Sequence, residues 1–177
     1  MIRMKGDIFS VVEFLHVKPG KGNAFVRTKL KSMTTGSVID HTFPAGHRLD
    51  TVRVERRPYQ YLYSDGQMLY FMNQETFEQI PIEPKAVENR DFLQENAIVE
   101  VLFDADNENV LEVDLPKTVD MEVTYTEPGI KGDTVSNTFK PAKLESGVEI
   151  KVPLFVDIGD KVRVDTRTGE YVERVKE

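Results

Sequence analysis

The sequence predicts an all-β protein built from three small tandem β-barrels, and three observations lead to that prediction. Short runs of alternating apolar and polar residues recur along the 177 residues, with Gly, Pro, Asn or Asp between them. Only Pro84–Asn96 has the apolar spacing of a helix, with Pro84 at its start. Many short strands at close spacing are typical of barrels or sandwiches, and no single barrel needs a chain of this length.

The N-terminal third has strand patterns joined by turns that contain Gly or Pro. Each strand alternates apolar and polar residues, which gives it two distinct faces. The predicted elements are strands at Phe9–Val17, Ala24–Leu30, Val38–Phe43 and Thr51–Arg57, with turns or loops at Lys18–Asn23, Thr35-Gly36 and Pro44–His47. In the last of these strands we expect Val52 and Val54 to share a face.

The other two thirds of the chain repeat this pattern. Asp65-Gly66 between two β-rich runs is a strong hairpin signal, and Pro116 marks a boundary before the last group of strands. The predicted strands are Tyr59–Tyr63, Met68–Met72, Ala97–Phe103, Val110–Asp114, Thr118–Thr126, Val148–Pro153, Lys161–Asp165 and Glu170–Val175, with a long loop over Glu127–Thr138.

The net charge of −7 hides a gradient along the chain. Residues 1–51 carry eight Lys/Arg against four Asp/Glu, a net of +4, whereas residues 52–114 carry five against fourteen, a net of −9. Residues 115–177 carry ten against twelve, a net of −2. These shifts, the turn spacing and Pro116 predict three domains with those bounds. The first third suits a phosphate partner and the second would be repelled by one, although acidic surface also keeps a protein soluble.

Motifs that carry enzyme chemistry are absent from the sequence, so we expect no catalytic site. There is no Gly-x-Ser-x-Gly motif. Gly20-Lys-Gly-Asn-Ala-Phe25 lacks the third glycine of a dinucleotide fingerprint, and Lys21 is followed by Gly22 instead of the hydroxyl residue of a phosphate-binding loop.

We also expect no metal, no other cofactor and no membrane segment. The chain has no cysteine, and its histidines at positions 16, 41 and 47 are too scattered to indicate zinc. Asp104–Glu108 begins like a calcium loop, but Asn109 and Leu115 stand where Gly and Glu are required. No apolar run approaches the length of a transmembrane helix, and none follows Met1 as in a secretory signal, so a cytoplasmic location is expected.

Two features leave alternatives open. Lys18–Asn23 brackets Lys21 closely with Pro and Gly, which predicts a stiff, narrow tip with one exposed amine, but a lysine in a hairpin turn is most often simply solvated. The second feature is an aromatic group that is either a base-stacking platform or barrel core with cross-strand pairs; the acidic surroundings favour the core. Its members are Tyr59, Tyr61, Tyr63, Tyr70 and Phe71.

Several separate motifs resemble one known family. Lys18-Pro-Gly-Lys-Gly-Asn-Ala-Phe25 is similar to the signature of the bacterial translation elongation factor P family, and the resemblance extends over the whole chain. The other similar segments are Thr42-Phe43, Tyr61–Gly66, Phe71–Gln79, Glu127–Thr134, Lys140–Ala142, Gly147–Ile158 and Asp165–Val172. Their number and order make the resemblance specific.

The resemblance implies a KOW/SH3-like barrel followed by two OB-type barrels, in an L shape similar to tRNA. It implies a factor without a catalytic site that binds both ribosomal subunits beside peptidyl-tRNA. Such a factor stimulates peptide-bond formation and relieves stalling at consecutive prolines, and we expect it to be a monomer. The alternative is an OB-fold RNA-binding protein or a structural protein with no role in peptide-bond formation.

The resemblance also implies functional residues. Lys21 would reach the peptidyl-transferase centre from a tip loop that contains Pro19, Gly20 and Gly22, and a lysine-modifying enzyme would attach a covalent group to it. A loop of the third domain, matching Gly132, Asp133 and Thr134, would approach the small subunit and the exit-site codon. A C-terminal pair, matching Tyr171 and Arg174, would lie near the tRNA anticodon stem.

Such a factor also requires basic residues on its tRNA-facing arm. The tRNA- or ribosome-binding residues expected there, besides Lys21, are Lys5, Lys18, Arg27, Lys29 and Lys31.

Two expectations concern the ends of the chain. Members of the family usually begin about a dozen residues earlier, and Met1 falls inside that region, so either the start is shortened or the beginning of the chain was set differently. Both alternatives affect the pairing of the first strand and the stability of the N-terminal barrel. Two-residue alternation places Tyr171 and Arg174 on opposite faces of a strand. We therefore expect that strand to end or twist between them, or the two contacts to lie on different surfaces.

Overall fold

The computed structural model describes residues 1–129 and 138–176. Within these residues, fifteen strands form three five-stranded sheets, which confirms the predicted all-β class. The chain divides into two compact units, Met1–Arg57 with Val101–Val113 and Pro58–Glu100 with Asp114–Glu177. The predicted division into domains 1–51, 52–114 and 115–177 stays a prediction.

The first sheet lies at the N-terminus. Its strands are β1 (Ile2–Met4), β2 (Asp7–Val17), β3 (Phe25–Ser32), β4 (Val38–Pro44) and β5 (Asp50–Thr51), in the order β4-β3-β2-β1-β5. Ile2 pairs with both Phe9 and Thr51, so the short first strand is bonded on both sides. Lys5 and Gly6 join β1 to β2 with φ angles of 51° and 79°, which is the pattern of a type I′ turn.

Strand β2 extends well beyond its pairing with β1. The register with β1 ends at Phe9, whereas the ladder with β3 continues, through a bulge at Val12, until Val17 pairs with Phe25. The later part of β2 is therefore bonded to β3 along one edge. Its side chains are strongly exposed, with Phe14 reaching 75%.

Two apolar clusters stabilise the unit that contains this sheet. The first consists of Ile2, Phe9, Leu30 and Phe43, and the Leu30 side chain is fully buried. The second consists of Val52, Leu102 and Leu111, with Met1, Ile8, Met33 and Val54 packed against it. Val52 and Val54 thus contact the same cluster, as their spacing predicts.

The second sheet contains both predicted hairpins of the central third. Its strands are β6 (Val54–Ser64), β7 (Leu69–Asn73), β8 (Gln79–Ile82), β9 (Ile98–Asp104) and β10 (Asn109–Asp114), in the order β10-β9-β6-β7-β8. Tyr59, Tyr61 and Phe71 are buried. Tyr63 and Tyr70 form a cross-strand pair with ring centroids 4.7 Å apart. The aromatic group therefore supplies core and cross-strand contacts, as the acidic surroundings favoured.

The third sheet encloses a large apolar cluster. Its strands are β11 (Thr118–Thr126), β12 (Phe139–Leu144), β13 (Glu149–Pro153), β14 (Lys161–Asp165) and β15 (Tyr171–Arg174), in the order β13-β12-β11-β14-β15. The buried residues of the cluster include Val123, Val152 and Val162, which are fully buried, and Phe92, which lies in the segment before β9. The prediction did not include β12, nor β1 and β8.

The predicted helix over Pro84–Asn96 is wrong. Two single 3-10 turns, Pro84–Ala86 and Arg90–Phe92, take its place. Val87 after the first turn is extended, and Asn89 before the second is left-handed at φ 54°, which breaks any continuous helix. Tertiary contacts favour this path, because the Asn89 amide donates to the Thr166 carbonyl at 2.9 Å and Phe92 packs into the third sheet's cluster.

Candidate functional site

Lys18–Asn23 forms an exposed loop that closes the β2–β3 ladder. Every residue in it is exposed, and the first pair below it joins Val17 to Phe25. Gly22 has φ 112°, a conformation that L side chains rarely adopt. A Cβ on Gly20 would meet no atom within 4 Å, and Gly20 is not among the residues with positive φ. The loop presents the Lys21 side chain to solvent, and of its two glycines the backbone requires Gly22.

Alanine substitutions should separate these two glycines. Gly22→Ala should lower the free energy of unfolding by about 1 kcal/mol, because alanine resists the positive φ. Gly20→Ala should change it by less than about 0.5 kcal/mol. Urea unfolding of both variants measures the difference. Equal losses would show that position 22 has no special backbone requirement.

Strand β3 carries three of the predicted cations on one face of the sheet, at every second residue: Arg27, Lys29 and Lys31. The Lys29 amine lies 3.0 Å from the Glu13 carboxylate, and the strand register places Asp40 opposite Lys29 on β4. The hydrogen bond with Glu13, followed by its charge, raises the pKa of Lys29. The Arg27 guanidinium lies 5.5 Å from the centroid of the Phe25 ring. These three cations form a basic stripe along β3, and the carboxylates of Glu13 and Asp40 partly compensate its charge.

A β-bulge places Tyr171 and Arg174 on the same face of β15. Tyr171 pairs with Val164 and Arg174 pairs with Val162, so Val172 is the extra residue. Directly opposite residues point to the same side of a sheet, and Val162 and Val164 are both fully buried on the core side. The bulge therefore interrupts the simple alternation that would separate the two residues, and it leaves both on one surface.

Neighbouring side chains fix this C-terminal pair. Tyr171 packs against the apolar cluster of the third sheet, and burial raises the pKa of its hydroxyl. The Arg174 guanidinium lies 3.4 Å from the Asp160 carboxylate and 5.1 Å from the centroid of the Phe155 ring. No pattern in the sequence indicates Asp160 or Phe155 as partners of Arg174, because only the folded chain brings them beside β15.

The predicted residues Gly132, Asp133 and Thr134 lie outside the described residues, and their role stays a prediction. Residues on either side of 130–137 make individual close contacts, although Glu127, Gly129 and Thr138 are themselves exposed. The Lys140 amine donates to the Glu127 carbonyl at 2.6 Å, although Lys140 lies inside β12. A Cβ on Gly129 would overlap the Leu154 carbonyl oxygen, so that position requires glycine.

Residues 1–129 and 138–176 lack both a cluster of metal-ligating side chains and a helix suited to cross a membrane. Those residues contain no group of three or more His, Cys, Asp or Glu side chains placed to hold a metal ion. Within the same ranges, no helix has the length and apolar character needed to cross a membrane.

Models of protein families match three successive parts of the chain. Residues 1–49 match the elongation factor P KOW-like domain, residues 54–113 the elongation factor P OB domain, and residues 119–174 the elongation factor P C-terminal domain. A curated relative named elongation factor P, from Bacteroides fragilis, is 57% identical over 99% of this chain and 93% of its own length. The chain belongs to the elongation factor P family.

Other relatives support this assignment. Elongation factor P from Flavobacterium psychrophilum is 51% identical over 99% of this chain and 94% of its own length. The solved structure of eukaryotic translation initiation factor 5A from Methanococcus jannaschii is similar with a TM-score of 0.51 and 20% identity, over 65% of this chain and 82% of that one. That likeness concerns the fold. The expected KOW-like and OB domains and the role of a translation elongation factor are confirmed.

Proposed function

We propose that this elongation factor binds the ribosome beside peptidyl-tRNA and stimulates peptide-bond formation, relieving stalling at consecutive prolines. The observation that carries the proposal is the exposed Lys21, on a loop that ends a long two-stranded ladder. Hydrogen-bonded strands are more rigid than a free loop, so they position the amine of Lys21 more precisely. The reaction itself is performed by the ribosome, and the factor is not an enzyme.

Positioning accounts for such an effect without catalytic groups. The proline ring fixes φ and restricts the nitrogen that must attack the peptidyl ester. Holding two reactants in a productive geometry contributes up to about 7–11 kcal/mol in favourable cases, so a small improvement in alignment has a large effect on rate. The Lys21 ammonium contributes charge and hydrogen-bond donors beside the acceptor end of the tRNA, and it forms no bond in the reaction.

The distribution of charge supports an orientation in which the N-terminal third faces the tRNA. The first 51 residues have a net charge of +4, and their basic stripe on β3 suits the phosphates of tRNA. Residues 52–114, with a net charge of −9, should face away from phosphate or contact ribosomal protein. The factor would work as a monomer in the cytoplasm, where bacterial ribosomes are.

A covalent group on Lys21 would extend the reach of the loop. The side chain is exposed, so a lysine-modifying enzyme has access to it. Intact mass measurement of protein from its native host tests this part of the proposal. A mass equal to that of the bare sequence would show that Lys21 acts unmodified.

Translation by purified components tests the main proposal. Native protein should accelerate synthesis through a Pro-Pro-Pro reporter and leave a proline-free reporter unchanged. The same rate with and without the protein would refute the proposal. Co-sedimentation with ribosomes or with free RNA then identifies the alternative, since an OB-fold RNA-binding protein binds free RNA and a structural protein binds neither.

Arg174→Ala should weaken ribosome binding at the C-terminal end. Loss of one phosphate contact should reduce the slope of log affinity against log salt by about 0.7–0.9. It also leaves the Asp160 carboxylate without the guanidinium at 3.4 Å, and this adds repulsion. The measurement is ribosome affinity over a salt series.

The double variant Arg174→Ala/Asp160→Asn is the matched control, because it removes both charges of the pair. It should recover part of the lost affinity while keeping the reduced salt slope. An unchanged affinity and slope in the single variant would show that Arg174 does not contact phosphate.

A further inference from the structure

A pocket opens in the N-terminal sheet, and the tip loop is not part of its lining. Its volume is about 380 Å³, near the lower end of the range of roughly 300–1,000 Å³ for ligand pockets. The lining comes from β1, the end of β4 and the segment leading to β5, and none of Lys18–Asn23 contributes. Its apolar members include the buried Ile2 and Phe43, so the pocket has an apolar wall beneath a polar rim.

An exposed histidine ring provides a flat surface in this pocket. The His47 and Phe43 rings stack with centroids 5.6 Å apart and planes at 23°. The His41 ring contacts the Phe43 ring edge-on, with centroids 4.5 Å apart. Phe43 is buried, whereas His47 is exposed. One face of the His47 ring thus stacks on Phe43, and the residue as a whole is exposed to solvent. Histidine is one of the side chains on which unpaired RNA bases stack.

Two exposed cations, Lys5 and Arg48, line the same pocket. Lys5 occupies the first central position of the type I′ turn at φ 51°, where Asn, Asp or Gly is preferred. The turn itself does not require a lysine at this position, since it favours other residues. Arg3 also lines the pocket, but its guanidinium is held by the buried Asp104 at 3.2 Å.

We propose that this pocket binds one unpaired RNA nucleotide, with the base stacked on His47 and the flanking phosphates held by Lys5 and Arg48. Asp50, a carboxylate of the lining, accepts a hydrogen bond from the ribose hydroxyl. The inference rests on the proposed function, because the ribosome and its tRNA supply the RNA. The nucleotide belongs to tRNA or to ribosomal RNA, which offer the same chemistry.

Ribosome affinity of single variants over a salt series tests the pocket. The two probes are purified ribosomes with P-site tRNA and vacant ribosomes. Arg48→Ala and Lys5→Asn should each lower the affinity about tenfold at low salt and reduce the salt slope by about 0.7–0.9. His47→Ala should lower it about tenfold with the slope unchanged, and His47→Phe should retain binding, because the interaction is stacking.

Two controls exclude trivial causes. Lys85→Ala removes an exposed cation that pairs with Glu83 at 2.6 Å in the acidic third, and it should bind like wild type. Lys5→Asn places a preferred residue in the turn, so its thermal unfolding midpoint should equal or exceed that of wild type. Reduced binding by a variant of undiminished stability reports the lost charge and not misfolding.

The outcomes distinguish the pocket from the proposed function. If the pocket variants lose affinity only for tRNA-loaded ribosomes, the nucleotide belongs to tRNA. If they lose affinity for both probes, it belongs to ribosomal RNA. Either result supports the pocket. Pocket variants that bind both probes like Lys85→Ala, while wild type binds, overturn the pocket and leave the proposed function standing. Failure of wild type to bind either probe overturns both.

Discussion

Lys21→Ala should reduce the rescue of a polyproline reporter by at least about tenfold, because the group that improves alignment of the reactants is removed. The fold should be unaffected, since an exposed loop side chain changes stability by less than about 0.5 kcal/mol. Ribosome binding should also persist, because other contacts supply it. Lys21→Arg should fail similarly if a covalent group is needed, as guanidinium cannot replace the amine as its acceptor.

Lys18→Ala is the matched control for this substitution. It removes a lysine from the same exposed loop and should retain most of the activity. A proline-free reporter measures any general effect on translation. If Lys21→Ala rescues the polyproline reporter as well as natively modified protein does, the tip lysine has no special role and is merely solvated.

Leu30→Ala should destabilise the N-terminal sheet by about 3–5 kcal/mol. Leu30 is fully buried in a cluster of only four buried residues, so the cavity it leaves has few neighbours able to fill it. A loss of this size is comparable to the whole stability of a small barrel. Polyproline rescue should fall with it, although Lys21 is unchanged.

Hydrogen exchange of the β2 and β3 amides measures that loss directly, because it reports this sheet separately from the rest of the chain. Val38→Ala is the control, since Val38 is 56% exposed on β4 and should cost less than about 1 kcal/mol. Exchange rates in Leu30→Ala equal to those of the control would contradict the importance of this cluster.

Alternation and turn chemistry were sufficient to predict most of the strands. Thr118–Thr126 and Lys161–Asp165 were predicted with the bounds that the structure has. The Asp65-Gly66 hairpin also forms where expected, with Ser64 opposite Leu69. In these segments, local preference and tertiary packing favour the same conformation, so the sequence alone is informative.

Strand β12 and the absent helix show where local preference fails. The buried positions of β12 are Lys140, Ala142 and Leu144, so a lysine stands on the apolar face and hides the alternation. The Lys140 side chain can be buried because its amine donates to the Glu127 carbonyl, a partner that only the folded chain supplies. Likewise, the helical spacing near Phe92 reflects burial in another sheet's cluster and not a continuous helix face.

The sequence predicts the exposure and the strand faces of the candidate site residues better than it predicts their ion pairs. The exposure of Lys21 and the alternation of Arg27 and Lys29 follow from turn and strand patterns. The pairing of Lys29 with Glu13 depends on the hairpin register, including its bulge, which no spacing in the sequence specifies.

Among the described residues, β2 beyond Phe9 pairs only with β3, and this one-sided pairing affects how the protein behaves in concentrated solution. A strand edge with unpaired N–H and C=O groups is a template on which a strand of another molecule can add. The neighbouring side chains favour such addition, since Val12, Phe14 and Leu15 are 54%, 75% and 60% exposed. The charge of Glu13, in the middle of this apolar run, opposes it. Glu13 therefore has two effects. It partly compensates the charge of Lys29, and it helps to prevent the exposed edge of β2 from pairing with the same edge of another molecule.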